Sequence, residues 1–172
     1  MAKIKAILSA GKITSNTKLA FSLFAESRFG EKVGEKITYS LVEALFLVEE
    51  NKMEIYSKEK KLDNKKILHE FEKLDKNFYV KYAVFKDMRK KGYIVKSALK
   101  FGAEFRVYQK GASLGEDHAL WILYPVSENS QLTWHDFSAK NRVAHSTNKK
   151  LLIAVVDEEE DVSYYEVKWL KP

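Results

Sequence analysis

The chain has no cysteine, which excludes disulfides, thiolate metal sites and cysteine nucleophiles together. Its four histidines, at 69, 118, 135 and 145, are too few for a histidine-rich metal site, and no cofactor is expected. No run of eighteen apolar residues is present, and the opening MAKIKAILSAGK lacks the apolar core of a signal peptide. The chain is therefore expected to be soluble and cytoplasmic, with no membrane partner. Only two prolines and seven glycines interrupt 172 residues, and the surface is rich in Lys and Glu, a balance compatible with a thermophile. There is no internal repeat and no low-complexity linker.

What is present suffices for a real core: 45% hydrophobic and 13% aromatic residues. The length allows one large domain or two small ones. A formal net charge of +6 favours polyanionic partners, and the distribution says more than the total. Residues 81–110 hold nine Lys or Arg against Asp87 and Glu104, whereas Asp157–Asp161 is DEEED, five acids without a base. Within the basic segment Lys100, Arg106 and Lys110 are candidate phosphate contacts.

The periodicities predict a mixed α/β fold (α+β) in two parts. Residues 1–77 read as a small N-terminal α/β domain for packing or assembly. Its strand at Lys3–Leu8 is followed by a short helix in LAFSLFAES and irregular chain at Gly30 and Gly34. Ser40 and Glu43 form a capping box ahead of a helix with Leu41, Ala44, Leu45 and Val48 inward. A strand is expected at Met53–Tyr56, then a helix capped by Asp63 that buries Ile67, Phe71 and Leu74. Residues 78–172 read as a mixed-sheet α/β domain. A helix at Tyr79–Lys91 turns Val80, Val84 and Met88 inward and stops at Gly92. Its basic end, Arg89-Lys90-Lys91, suits the helix dipole and phosphate equally. Strands follow at Tyr93–Val95, Phe105–Tyr108 and His118–Tyr124, the last closed by Pro125. Thr133 and Asp136 start a helix through about Ser146, before strands at Leu151–Val156 and Val162–Trp169.

The stretch FGAEFRVYQKGASLGEDH carries the first chemistry. Alternation puts Arg106 and Tyr108 on one face, expected to be polar and wet, and the loop GASLGED leads to His118. Lys149 and Lys150 stand at the mouth of the later strand. A tyrosine, a histidine and a lysine can together cleave RNA without metal. A base takes the ribose 2′-hydroxyl proton, the alkoxide attacks phosphorus, an acid protonates the leaving 5′-oxygen, and a cation holds the growing phosphoryl charge. Free tyrosine has a pKa of ~10, so nearby cations such as Arg106 must help it.

These segments resemble the archaeal tRNA-splicing endonuclease family. The resemblance rests on ITYSLVEALFLVEE, VKYAVFKDMRKKGYIVKSALKFGAEFRVYQKG, RVAHSTNKKLLIAVVD and the terminal YYEVKWLKP, and covers most of residues 39–172. It implies a triad of Tyr108 as base, His118 as acid and Lys149 as electrostatic stabiliser. The implied substrate is precursor tRNA with a bulge–helix–bulge, cut to 2′,3′-cyclic phosphate and 5′-hydroxyl ends. The resemblance also implies that Arg142 clamps a splayed bulge base, and that Asp157, Glu158, Glu159, Glu160 and Asp161 dock in a basic pocket of another subunit. An ion-paired helix arginine and a solvated hairpin turn are the ordinary alternatives for these two features. Assembly as a homotetramer, or as a heterotetramer with a second structural subunit, is expected. Tyr165, Val167 and Trp169, on one strand face, are the candidate pairing surface. Two other readings stay open: a non-catalytic RNA-binding or assembly subunit, and a metal-dependent nuclease built on Glu166 and Lys168, with Asp157 as the second carboxylate.

Overall fold

A computed structural model of the chain describes residues 2–113 and 117–172. The fold is mixed α/β, in two compact units, Met1–Tyr79 and Val80–Pro172, each built around one sheet.

The first unit opens on a hairpin of β1 (Ile4–Ser9) and β2 (Lys12–Ser15). Thr17 caps α1 (Lys18–Ser27), and a second hairpin joins β3 (Glu31–Val33) to β4 (Lys36–Tyr39). Then come α2 (Leu41–Glu49), β5 (Met53–Ser57), β6 (Lys60–Lys61) and α3 (Asn64–Leu74). The sheet runs β3-β4-β2-β1-β5-β6, with β1 and β5 parallel and the remaining pairs antiparallel. Sequence periodicity finds β1, α1, α2, β5 and α3. It misses β2 and β4, which stand as strands because they pair with each other, β2 with β1 and β4 with β3. Leu74, expected in the core, is 49% exposed, since it is the last residue of α3, while Ile67 and Phe71 are buried.

The capping box at Ser40 does more than start α2. The buried Glu43 carboxylate accepts from the Ser40 amide (3.0 Å) and hydroxyl (2.9 Å), and its other oxygen accepts from the Gly30 amide (2.9 Å). One carboxylate thus ties the start of the β3–β4 hairpin to the start of α2. Gly30 has φ +76°, and a Cβ there would lie 2.4 Å from Ile37 Cγ2. Only glycine fits without displacing the hairpin.

The second unit contains α4 (Phe78–Lys90, beginning at the boundary), β7 (Ile94–Ser97), β8 (Phe105–Tyr108) and β9 (Trp121–Ser127). These are followed by α5 (Trp134–Ser146), β10 (Lys150–Val156) and β11 (Val162–Val167). The sheet order is β11-β10-β9-β8-β7, antiparallel except for β9 and β10. Helix α4 covers one face: Phe85 meets Phe105 at 6.1 Å between ring centres, and the Tyr164 hydroxyl donates to Asp87 at 2.6 Å. Burial first, then the Asp87 carboxylate, push the Tyr164 phenol far up. Helix α5 covers the other face, where Ala144 packs with Ile122, Tyr124 and Leu151. Val84 and Met88 of α4 are buried as expected, but Val80 is only half-buried, and Tyr82 and Phe85 join the core. Gly92, at φ +91°, follows α4 as expected.

Two differences in strand limits bear on the site. Strand β9 starts at Trp121, not His118, and runs through Pro125 to Ser127. Pro125 lies opposite Ala154, beyond the last β8 partner at Leu123, where one side of β9 has no ladder for an amide to serve. Strand β11 ends at Val167, so Trp169 lies outside it.

Glu43→Ala is expected to cost about 2–3 kcal/mol, because buried amide donors at both ends of the bond set lose their acceptor. Glu43→Gln is expected to cost less, and Gly30→Ala at least as much as Glu43→Ala. Urea midpoints of the three variants check this order.

Candidate active site

The strand registers bring the candidate residues to one end of the second sheet. Val107 of β8 pairs with Trp121 of β9, and Trp121 pairs with Lys150 of β10. One residue before each β9 and β10 start, and one after Val107, the row across the sheet is therefore Tyr108, Leu120, Lys149. Backbone bonds hold it: the Leu120 amide donates to Val107 (2.8 Å) and the Lys150 amide donates to Leu120 (3.1 Å). Two strand spacings separate Tyr108 from Lys149, roughly 10 Å of backbone. His118 stands exposed two residues ahead of Leu120, at the same end. Residues 114–116 of the loop leading to it lie outside the described residues.

Tyr108 does not sit on a wet face: it is 7% exposed, packed with Ile94, Ala112 and Ala119. Alternation put it on the right side of the strand, but the turn after β8 folds back and covers the ring. Arg106, two residues earlier, has its guanidinium carbon 5.9 Å from the Tyr108 ring centre. Buried Lys96 of β7 pairs in register with Arg106, a second cation on this strand pair that sequence reasoning did not single out.

The two lysines at the mouth of β10 part company, as alternation requires. Lys150 turns to the α4 side and pairs with Glu166 at 3.3 Å. Glu166 also accepts from the Trp121 indole (2.8 Å), and that bond, followed by Lys150, holds its carboxyl below the usual range. Lys149 turns to the α5 side, where its ammonium donates to the Thr147 carbonyl at 2.8 Å, just past the C-terminal end of α5. It lines a cavity of about 240 Å³ with Asn141, His145, Lys168 and Trp169. His145 and Trp169 meet edge to face at 4.6 Å, so Trp169 is turned to α5 and not along a strand face with Tyr165. Val167 is only partly exposed because it packs on the α5-side core. His145 was legible only as part of RVAHS, without a role.

The other candidates scatter. Lys110, in the turn after β8, reaches over the Tyr93 ring (5.5 Å) near the Tyr108 end. Lys100 sits before β8 and is exposed at the opposite end of that strand. Arg142 is exposed on α5, with no ion pair among the described residues. In DEEED, Asp157 differs from the rest: its carboxylate accepts from the Glu159 and Asp161 amides, both at 2.9 Å, and shapes the turn. Glu158, Glu159, Glu160 and Asp161 are exposed. The carboxylates of the metal reading do not converge. Glu166 pairs with Leu152, whereas Asp157 follows the far end of β10, roughly 16 Å away at ~3.3 Å per residue.

Comparison with known proteins bears on the whole chain. Residues 78–164 match the tRNA intron endonuclease catalytic C-terminal domain, and residues 4–68 match the tRNA intron endonuclease N-terminal domain. This chain belongs to the tRNA intron endonuclease family. Relatives include the tRNA-splicing endonuclease of Thermococcus kodakarensis, 42% identical over 95% of this chain and 96% of that protein. That of Methanothermobacter thermautotrophicus is 40% identical over 91% of each chain, and that of Nanoarchaeum equitans 41% identical over 77% of this chain and 88% of its own. The family likeness reaches back to residue 4, well ahead of the segment where motifs carry it. In this tRNA intron endonuclease family member that first stretch forms β1, β2, α1 and the β3–β4 hairpin, all within the N-terminal family domain.

The burial of Tyr108 decides how its hydroxyl is to be tested. Tyr108→Phe keeps the ring and is expected to hold stability within about 1 kcal/mol. Tyr108→Ala is expected to lose about 3–5 kcal/mol by opening a cavity against Ile94, Ala112 and Ala119. Thermal unfolding of both variants separates the two.

Proposed function

We propose that the chain is a tRNA-splicing endonuclease that cuts precursor tRNA at bulge–helix–bulge intron boundaries. Tyr108 takes the ribose 2′-hydroxyl proton, and the resulting oxygen attacks the adjacent phosphorus. The bond to the 5′-oxygen breaks, and His118 gives that oxygen a proton. Lys149 stabilises the charge on the phosphoryl oxygens. The products are a 2′,3′-cyclic phosphate and a 5′-hydroxyl, and no step needs a metal ion. The observation that carries this reading is that Tyr108, His118 and Lys149 stand at the same end of three neighbouring strands. The opposite orientation of Lys150, paired with Glu166, supports the choice of Lys149.

In this reading residues 78–172 are the catalytic domain and residues 1–77 serve packing and assembly. Arg106 and Lys110 lie at the Tyr108 strand and turn to meet phosphate, with Lys100 further along the RNA, and Arg142 holds a splayed base by stacking. A bulge–helix–bulge has two cut sites, so two triads must be held at a fixed separation, in a homotetramer or with a second structural subunit. The exposed acids Glu158–Asp161 suit a basic surface on another subunit.

His118→Ala and Lys149→Ala are each expected to slow single-turnover cleavage by ~10²–10⁴, with RNA affinity little changed, while Lys150→Ala stays within a few fold. Cleavage is expected to persist in EDTA. Loss of cutting that Mg²⁺ restores, on an RNA folded without it, would overturn the mechanism. A chain that binds precursor tRNA in its assembled form yet never cuts it is a non-catalytic subunit.

For assembly, Glu158, Glu159, Glu160 and Asp161 are replaced by neutral residues and Asp157 is kept to preserve the turn. Smaller species in sedimentation and weaker two-site cleavage are expected, with the unfolding midpoint unchanged. Raised salt is expected to mimic the change in part.

A further inference from the structure

Helix α5 presents a second feature toward solvent that neither the triad nor the acidic loop uses. Trp134, its first residue, is 83% exposed, the most exposed large apolar side chain among the described residues. It is nevertheless held: its ring meets Phe137 edge to face at 90° and 5.7 Å. The Thr133–Asp136 capping box fixes the backbone beneath it, with the Asp136 amide donating to Thr133 at 3.1 Å. Trp134, Ser138, Arg142 and His145 recur at helical spacing, and all four are exposed. This outward stripe runs from Trp134 down to the end of α5 that leads into Lys149. Trp134 and Arg142 stand two turns apart, roughly 12 Å along the axis at ~1.5 Å per residue.

We propose that this stripe is a track for RNA leading away from the cleavage site, and that Trp134 stacks on an unpaired base of the substrate. The proposal rests on the reading of the chain as an RNA endonuclease and extends its contact surface. Three observations favour RNA over a protein partner. The stripe holds one aromatic among polar residues, where the centre of a stable protein interface is apolar. Its full cation, Arg142, suits a polyanion, whereas Lys140 lies off the stripe, drawn over the Tyr124 ring at 4.3 Å on the sheet side of the helix. The track is continuous with the cavity at Lys149 and His145. A propped, exposed indole is a sequence-tolerant platform, since every base has a face to stack. The ~12 Å step to Arg142 spans roughly three to four stacked nucleotides at ~3.4 Å each.

The test uses the assembled protein and two labelled RNAs: a hairpin with unpaired bulges on either side of a helix, and the same hairpin with its bulges paired. Trp134→Ala is expected to raise Kd and KM for the bulged RNA about tenfold, with single-turnover rate at saturation within twofold and little change for the paired RNA. Trp134→Phe is expected to restore most of the loss. Bulged RNA is expected to quench wild-type tryptophan fluorescence more than that of Trp134→Phe. Unchanged affinity in Trp134→Ala, or equal loss for both RNAs, overturns the proposal. So does a shift of Trp134→Ala to smaller species in sedimentation, which makes the indole a contact between subunits. His118→Ala in parallel keeps the two ideas apart: full cleavage by that variant sinks the endonuclease mechanism, while the binding arm still decides Trp134.

Discussion

The parallel pairing of β9 with β10 governs the second unit. Seven rungs, from Trp121–Lys150 to Ser127–Val156, join strands that no hairpin connects, so α5 must make the crossover and land back on the sheet. With that register set, the antiparallel strands on either side follow, and the residues just ahead of β9 and β10 emerge beside the end of β8. A slip of one residue exchanges the faces of Lys149 and Lys150 and breaks the Lys150–Glu166–Trp121 cluster on the opposite side. The same slip turns Leu151 out of the α5-side core and Leu152 into it. Apolar burial on both faces of β10 therefore protects the position of a lysine that is itself largely polar surface.

The two faces of this sheet have separate work. On the α4 side aromatic packing and the Tyr164–Asp87 bond close the core. On the α5 side the core is built around alanines, branched aliphatics and Tyr124, and gives way at the strand ends to Tyr108, Lys149 and the His145–Trp169 pair. Small residues in this layer, Ala98, Ala103 and Ala144, let α5 lie close to the strands. The first unit shows the same economy at one point. The Glu43 carboxylate satisfies its own helix start and the Gly30 amide, joining two local elements through a single buried charge.

Family membership and the geometry support one another without duplicating each other. The comparisons identify the tRNA intron endonuclease family across both parts of the chain. The strand registers bring Tyr108 and Lys149 to the same end of the second sheet, with His118 two residues ahead of Leu120. The pair of carboxylates that a metal reading needs is split along β10 and β11 by the length of the ladder.

The sequence by itself determined the local devices: the caps at Ser40, Asp63 and Thr133, the amphipathic helices, and strands such as β1, β5, β8 and β10. It determined the residue types of the site too, because tyrosine, histidine and lysine carry their chemistry wherever they stand. It did not determine β2 and β4, each of which stands as a strand between two partners in the sheet. Nor could it decide that Tyr108 is buried, since alternation assigns a side of a strand and says nothing about what covers that side. Which way each of two adjacent lysines turns, and which acid of DEEED builds its turn, followed only from tertiary structure. Register and long-range hydrogen bonds settle such choices, and neither is a property of neighbouring residues.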